Sequence, residues 1–383
     1  MIQINDIKDC CGCTACDAVC PKDAISMKAD ALGFKYPEVD LDKCIDCHLC
    51  EKVCSFNPDY DKSLNFSKPL AFGVRHKDMK EVETSRSGGA FIAISDVILD
   101  RGGVVYGAAL LDDLSVGHIR VTDKSSRQRL KGSKYVQSDL NGIFRSVRQD
   151  LKDGLTVMFT GTPCQTSGLR SYIGKKLGEN LYLVDIVCHG VPSPTLWKDN
   201  LTYLQNRWKT KIKSANFRDK RFGWFTHRES YQTDKGTKFA GSFTRGFHLT
   251  LSLRTSCANC HFGNIQRPSD ISLAGFWGSE RVAPEWNADD KGLSLVLANT
   301  AKGQQLLQEA SASIDCRQYD IENCMQNQLR GRVKFNPQHD EFQKDYAERG
   351  FGYAMKKYKC IGFQFEVYSF LSRLKRRLVK LLK

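Results

Sequence analysis

Between Val104 and Ala298 the chain alternates short apolar runs with longer stretches whose apolar positions return every three or four residues. The runs Val104–Leu111, Leu155–Thr160, Leu181–Val187, Ile271–Ala274 and Leu293–Ala298 are rich in Val, Ile and Leu and predict strands. Helical spacing holds over Ala90–Asp100, Asn141–Lys152, Cys164–Ile173, Pro194–Trp208 and Ala301–Ala312. Such alternation predicts an α/β body on a mixed or mostly parallel sheet. Ahead of it, the polar stretch Asn57–Pro69, with prolines near both ends, marks a module boundary. Before that boundary, Ala31–Val39 reads as a short strand and turn.

Composition narrows the class. A chain of 383 residues with 41% apolar and 26% charged positions has material for two or three folded domains and is not a disordered protein. Its most apolar run, Val104–Leu111, is broken by Gly107 and falls far short of the roughly 20 residues that span a bilayer. The N-terminus, MIQINDIKDCCGC, has neither the basic start nor the apolar run of a secretory signal, so a cytoplasmic protein is expected. In a reducing compartment 16 cysteines call for metal ligation, catalysis or burial rather than disulfides. The chain contains no G-x-G-x-x-G, Walker A loop or G-x-S-x-G elbow to signal a nicotinamide site, a P-loop or a serine hydrolase.

Nine of those cysteines fall in the first 54 residues, and eight form two runs of C-x2-C-x2-C-x3-C. The first is Cys10, Cys13, Cys16 and Cys20, followed by Pro21; the second is Cys44, Cys47, Cys50 and Cys54. Three cysteines so spaced wrap three corners of an iron–sulfur cube, and the fourth reaches across to a second cube. The assignment is therefore Cys10, Cys13, Cys16 and Cys54 around one 4Fe-4S cluster, and Cys44, Cys47, Cys50 and Cys20 around another. The pattern resembles bacterial two-cluster ferredoxins. Zinc also uses C-x2-C pairs, but a zinc pair does not call for the third and fourth cysteines at this offset, twice over. Cys11 stands outside the pattern. A domain this small has little core, so cluster binding should supply much of its folding energy.

Four further cysteines sit where loops leave strands or strand-like segments. Cys164 follows the Leu155–Thr160 run, Cys188 follows Leu181–Val187, and Cys257 and Cys260 form a C-x2-C. Loops at the carboxyl ends of neighbouring strands converge on one crevice, so these four thiols could share a third 4Fe-4S cluster. The alternative gives them separate roles, with Cys164 and Cys188 as buried apolar groups and the pair as half a zinc site. Cys316, Cys324 and Cys360 have no partner pattern.

The segments SRSGGAF (85–91), KGSKYVQS (131–138), FTGTPCQTSGLR (159–170), CHGVPSP (188–194), RTSCANC (254–260), SDISLAGFWG (269–278) and DDKGLSLV (289–296) come in a telling order. In that order they resemble the beta subunits of coenzyme F420 hydrogenase and dehydrogenase, with their bacterial and plant relatives. The resemblance implies FAD, a 4Fe-4S cluster on Cys164, Cys188, Cys257 and Cys260, and hydride transfer between the flavin and a substrate such as coenzyme F420 or another acceptor. It implies an FAD- and 4Fe-4S-dependent oxidoreductase; the alternative is a non-catalytic subunit relaying electrons to a partner enzyme. Ser87, Gly88 and Gly89 precede a helix and could offer backbone donors to the flavin. Lys131, Ser133 and Lys134 are donors suited to its pyrophosphate or to an anionic reduced ring, with a solvated turn as the alternative. Thr160, Gly161 and Thr162 would bring flavin and cluster together. His189 is the candidate proton donor, and His227, Arg228 and Arg245 are candidates for the substrate pocket. The division implied is 1–60 two-cluster domain, 61–153 and 154–340 the two parts of the beta-subunit-like body, and 341–383 a basic tail.

The net charge of +14 is concentrated in that tail, where nine Lys or Arg from Lys356 onward face one acid, Glu366. Leu371, Leu374, Leu378 and Leu381 recur at helical spacing among Arg373, Lys375, Arg376, Arg377 and Lys380, a basic amphipathic helix. It suits an anionic membrane face, peripheral at the inner side, or a partner; packing on the chain's own body is the alternative. No recognition motif accompanies the charge, so nucleic acid is not an expected partner. The expected whole is a small ferredoxin-like two-cluster domain, a mixed-sheet α/β flavin-binding body and a C-terminal basic helix. A redox partner protein or ferredoxin and a small-molecule hydride donor or acceptor complete the reading.

Overall fold

The computed structural model describes residues 1–57, 60, 65–367 and 369–371. The strands, in chain order, are β1 (Ile25–Ala29), β2 (Lys35–Val39), β3 (Leu70–His76), β4 (Val104–Leu110), β5 (Val116–Val121), β6 (Val157–Gly161), β7 (Leu181–Ile186), β8 (Ile212–Asn216), β9 (Glu229–Thr233), β10 (Gly236–Ala240), β11 (Ile271–Gly275), β12 (Ser294–Ala298) and β13 (Ile314–Tyr319). Eight of them make one sheet in the order β13-β3-β12-β11-β7-β6-β4-β5. Its centre, β4-β6-β7-β11, is parallel, and antiparallel strands extend it on both sides. The sheet is thus the mixed one expected.

Period-two side-chain alternation builds the layers. Val105, Met158, Val184, Ile271 and Val296 point to one face, where they meet the helices Ala90–Asp100 and Ala301–Glu309. Their neighbours Tyr106, Val157, Phe159 and Leu183 point to the other, against Ile143–Lys152 and Pro163–Leu177. Both faces of the central strands are therefore covered, which is why these runs are continuously apolar. A smaller sheet, β10-β9-β8, packs through Tyr231 with Trp197 and Phe243 in a separate core.

The N-terminal domain is not left to its own small core. Cys11, Cys13, Ala15 and Val53 belong to the same buried cluster as Phe159 and Leu169, while Leu32 and Phe34 join that of Leu114 and Trp197. Ser193 Oγ donates to the Leu32 carbonyl at 2.5 Å and Thr195 N at 3.1 Å. Burial against the body therefore stabilises this domain beyond what its own small core supplies.

The C-terminal region departs from expectation. Helix His339–Lys357 buries Phe342, Tyr346, Ala354 and Met355 in the body core, and Tyr346 Oη donates to Asp199 at 2.6 Å. The expected boundary at residue 341 falls inside this helix, because its apolar residues are spread among charges and broken at Gly350, which hides the buried face in the sequence. Leu371, 56% exposed, is the last described residue, and the expected basic helix beyond it lies outside the described residues. Among the described residues no helix is long and apolar enough to cross a membrane.

One buried ion pair ties the loop that carries Cys257 and Cys260 to the sheet. Arg267, 1% exposed, donates to Asp185 of β7 at 2.8 Å and to the Phe262 carbonyl at 2.6 Å, and Ser269 Oγ donates to the other Asp185 oxygen at 2.9 Å. Removing one member leaves the other charge buried and unpaired, so Arg267→Met should lower unfolding stability by about 3–5 kcal/mol. Equilibrium denaturation measures it; a loss below about 1 kcal/mol would show that the pair is not what holds this loop.

Candidate functional site

The two cysteine runs fold as a conformational repeat. In each loop the residues on either side of the second cysteine have positive φ: Gly12 and Thr14 around Cys13 (69° and 66°), Asp46 and His48 around Cys47 (49° and 59°). Left-handed residues curl the backbone tightly enough for successive thiols to face one centre. A short helix follows each, Ala15–Val19 and Leu49–Lys52.

Two cavities of similar size result. One is lined by Cys20, Cys44, Cys47 and Cys50; the other by Cys10, Cys13, Cys16 and Cys54, with Cys11. The cross-over between the runs is therefore present in the fold. Every pair within Cys10, Cys13, Cys16 and Cys54 is close enough for one thiolate to raise the pKa of the other. Burial, the dominant cause, pushes Cys54 up to about 11 and holds Cys16 well above the ordinary thiol range. Backbone amides donate to these sulfurs, as Ile2 N does to Cys50 Sγ at 3.2 Å and Ala24 N to Cys20 Sγ at 3.3 Å.

The third set assembles at the carboxyl ends of adjacent parallel strands. Cys164 lies in the first turn of the helix that leaves β6, and Cys188 just beyond β7. The turn Thr255–Asn259 and the residue after it bring Cys257 and Cys260 to the same place. All six pairs among these four thiols feel each other's charge. Burial pushes Cys257 up to about 12 and Cys260 to about 11, whereas Cys164 falls to about 7 because the Cys11 thiol donates to it, with Thr162 adding a 3.2 Å contact. Buried thiols such as these become thiolates only beside a compensating cation. Among the described residues no three His, Cys, Asp or Glu side chains are gathered for a single metal ion.

Cys11, outside every spacing rule, lies within hydrogen-bond reach of one thiol of each set, Cys13 and Cys164. Close approach is possible there because Gly168, on the helix Pro163–Leu177, has no side chain: a Cβ would lie 2.7 Å from Cys13 Sγ.

The residues expected at a flavin are placed unevenly. Ser87 Oγ donates to the Leu293 carbonyl at 2.6 Å, Gly88 N to Ser294 Oγ at 2.9 Å, and a Cβ on Gly88 would meet the Val74 carbonyl at 2.4 Å. These two residues therefore clamp β3 to the start of β12, and Gly89, at φ 87°, caps the helix Ala90–Asp100. Lys131 Nζ is paired with Glu81 and donates to Thr84 Oγ1 at 2.8 Å. Lys134 Nζ donates to the carbonyls of Lys131 and Arg129 at 2.8 and 3.0 Å, and burial lowers it to about 7. Ser133 is half-buried between them. Thr160 Oγ1 donates to the Tyr106 carbonyl at 3.0 Å, and Gly161 leads to Thr162, which caps the Cys164 helix.

A basic group surrounds His189, in which the expected His227 and Arg245 are joined by Arg86, Arg218 and His248, which sequence spacing does not single out. Arg86 and Arg218 lie over the Trp277 ring at 5.7 and 5.0 Å, and Trp224 stacks on Trp277 at 4.5 Å. Nε and Nη1 of Arg86 and Nε1 of Trp224 are buried without a hydrogen-bond partner. The His227 and His248 rings touch at 4.4 Å, and His189 packs edge-on to Phe247 while its Nδ1 meets Gln328 at 2.9 Å. Burial first and Arg218 second push His227 down to about 2; burial, His189 and Arg218 push His248 to about 4. Arg228, by contrast, lies over Phe222 and Phe239, at 4.0 and 4.4 Å. Arg245 shares the electrostatic neighbourhood of His248. Arg86 stands inside SRSGG, a motif read for its glycines; only the fold shows that its arginine carries the unused donors.

Two family models match separate parts of the chain. The 4Fe-4S dicluster domain matches residues 9–57, and the C-terminal part of the coenzyme F420 hydrogenase/dehydrogenase beta subunit matches residues 154–322. These segments belong to those two families. The chain thus joins a segment similar to the 4Fe-4S dicluster domain to a segment similar to the C-terminal part of that beta subunit. Similar proteins include a subunit of the F(420)H(2) dehydrogenase of Methanosarcina mazei, 22% identical over 46% of this chain and 51% of that protein. DNA-directed RNA polymerase subunit Rpo3 of Methanosarcina acetivorans is 34% identical over 28% of this chain and 35% of its own length. The chain thus spans between a third and about half the length of these relatives. A chain of the F420-reducing NiFe hydrogenase complex from Methanosarcina barkeri aligns in structure over 76% of this chain and 91% of its own, at 17% identity and a TM-score of 0.44.

Gly168 offers a test of the contact between dicluster domain and body. Gly168→Leu should drive the Cys13 loop off the body and raise the rate at which protease cleaves within residues 1–57 by about tenfold, the population shift that about 1.4 kcal/mol of lost docking produces. An unchanged cleavage rate would show that the two parts are not held at this point.

Proposed function

We propose that the chain is an iron–sulfur flavoprotein oxidoreductase that moves electrons between two 4Fe-4S clusters in its dicluster domain, a third in its body, and FAD, with hydride exchange between flavin and a small-molecule carrier. The observation that carries the reading is the adjacency of the two inner cysteine sets, with Cys11 in contact with Cys13 on one side and Cys164 on the other. Cys10, Cys13, Cys16 and Cys54 would hold one cluster, Cys20, Cys44, Cys47 and Cys50 the outer one, and Cys164, Cys188, Cys257 and Cys260 the third. Such clusters carry single electrons, and a flavin exchanges these for the electron pair of a hydride.

The flavin reading is supported by the basic group around His189. Two buried arginines and three histidines lowered by burial stand together, and Asp290 is the acid that acts on Arg86. The unused donors of Arg86 and Trp224, beside a stacked tryptophan pair, suit an anionic group attached to a flat aromatic ring. Arg86 and Arg218 would bind that charge, Trp277 and Trp224 would exclude water from the ring, and His189, next to Cys188, would hold or pass the proton. Coenzyme F420 is one such carrier, as the name of the dehydrogenase relative suggests.

Metal and flavin analysis of the reconstituted chain tests the proposal. About 12 iron and one FAD per chain are expected. Cys257→Ser should remove about 4 iron while sparing the dicluster signals. About 8 iron in the parent chain would remove the third cluster, and zinc without flavin would overturn the whole reading. Arg86→Ala should weaken flavin binding by about tenfold, the loss of one charge-assisted contact worth about 1.4 kcal/mol. Turnover that appears only when a partner protein is added would favour the relay role.

A further inference from the structure

The charge on Arg254 has no obvious owner. The residue is fully buried, at 0% exposure, and among the described residues no carboxylate pairs with it. Its guanidinium instead donates to the carbonyls of Cys10 and Lys35, both at 2.9 Å, to Gln137 Oε1 at 3.1 Å, and lies 3.8 Å from Cys10 Sγ. The rings of Tyr36 and Phe34 flank it at 4.2 and 5.4 Å. Its field reaches two thiols of each inner set, Cys10 and Cys13 on the dicluster side and Cys164 and Cys257 on the body side. Gly12 lets it come so close, since a Cβ there would lie 2.9 Å from Nη1.

A buried cation without an acid implies an anion of another kind. We infer that Arg254 is a shared counter-charge for the two inner clusters, a positioning residue that favours the added electron on either and couples their potentials across the junction between domain and body. The inference rests on the three-cluster reading above. Each cluster accepts one electron, here from a chemical reductant such as dithionite, with no bond made or broken in the chain. The added negative charge on one cluster is felt by the other through the same guanidinium, whereas the outer set, Cys20, Cys44, Cys47 and Cys50, does not have Arg254 among its contacts.

The test is an electron paramagnetic resonance redox titration of the reconstituted full-length chain, with iron analysis, for the parent protein, Arg254→Lys and Arg254→Gln. The charge role predicts that Arg254→Gln shifts both inner potentials to lower values, leaves the outer one unmoved, and that Arg254→Lys stays near the parent. If Arg254→Gln instead loses about 4–8 iron while Arg254→Lys retains it, the counter-charge is needed already for loading, which also supports the inference. Loss of iron in both variants assigns Arg254 a purely structural fork and overturns it. Unchanged potentials with full iron in Arg254→Gln overturn it while leaving the three clusters standing. Fewer than about 12 iron in the parent chain removes the inner pair itself, a failure of the functional reading rather than of the role given to Arg254 within it.

Discussion

A positive charge held out of water must be answered by something, and in this fold the answer determines how the halves of the molecule meet. Arg254 reaches from the loop before Cys257 across to the carbonyls of Cys10 and Lys35. Those bonds, the Gln137 bond to the Cys11 carbonyl at 2.9 Å, and the Ser193 bond to Leu32 leave the dicluster domain no freedom to sit elsewhere. The apolar contacts follow the same line, with Phe34 and Leu32 on one side and Cys13 and Ala15 on the other continuing into the body cores. Docking and charge placement are therefore one constraint, because moving the domain would strand a guanidinium in a dry interface.

The parallel centre of the sheet supplies the second half of the junction. Since β6 and β7 run side by side in the same direction, their carboxyl ends deliver Cys164 and Cys188 to one edge. A loop stapled back by the Arg267–Asp185 pair delivers Cys257 and Cys260 to them. Both arrangements are set by backbone register and a buried ion pair rather than by a ligand, and this matters for thiols that burial otherwise keeps protonated. The scaffold brings the sulfurs together as neutral groups, and the cationic iron–sulfide core of the proposed cluster would release their protons, leaving a net anionic four-thiolate cluster.

What could be read from sequence divides along the distance over which each feature is determined. The dicluster loops were legible because cube-wrapping is local: three cysteines within seven residues say nearly everything about the loop they form. The third set was legible only through strand logic, since Cys164 and Cys260 are far apart in the chain and meet through the register of β6, β7 and β11. Edge strand β13, with most of its residues exposed, shows no apolar alternation, and the helix His339–Lys357 hides its buried face among charges. Arg254 and Arg86 were illegible for a different reason. Each sits inside a motif noticed for other residues, and what marks them, a guanidinium enclosed by distant segments with no carboxylate hydrogen-bonded to it among the described residues, exists only once those segments have closed around them.

That contrast bears on how the two halves of the proposed chemistry are separated in one chain. At the dicluster junction Arg254 is buried among many sulfurs without a paired carboxylate among the described residues, an environment that would suit the proposed one-electron changes because no proton need move with them. Around His189 the balance is inverted: Arg86, Arg218, His227 and His248 crowd together, and burial with mutual repulsion keeps the histidines neutral. An anion brought there would relieve the repulsion and raise the histidines' proton affinity. Electron storage without protons on one side of Cys188 and proton-ready bases on the other is the division that conversion between single electrons and hydride demands. In the proposed chemistry, the adjacency of Cys188 and His189 in sequence would put that boundary at one peptide bond.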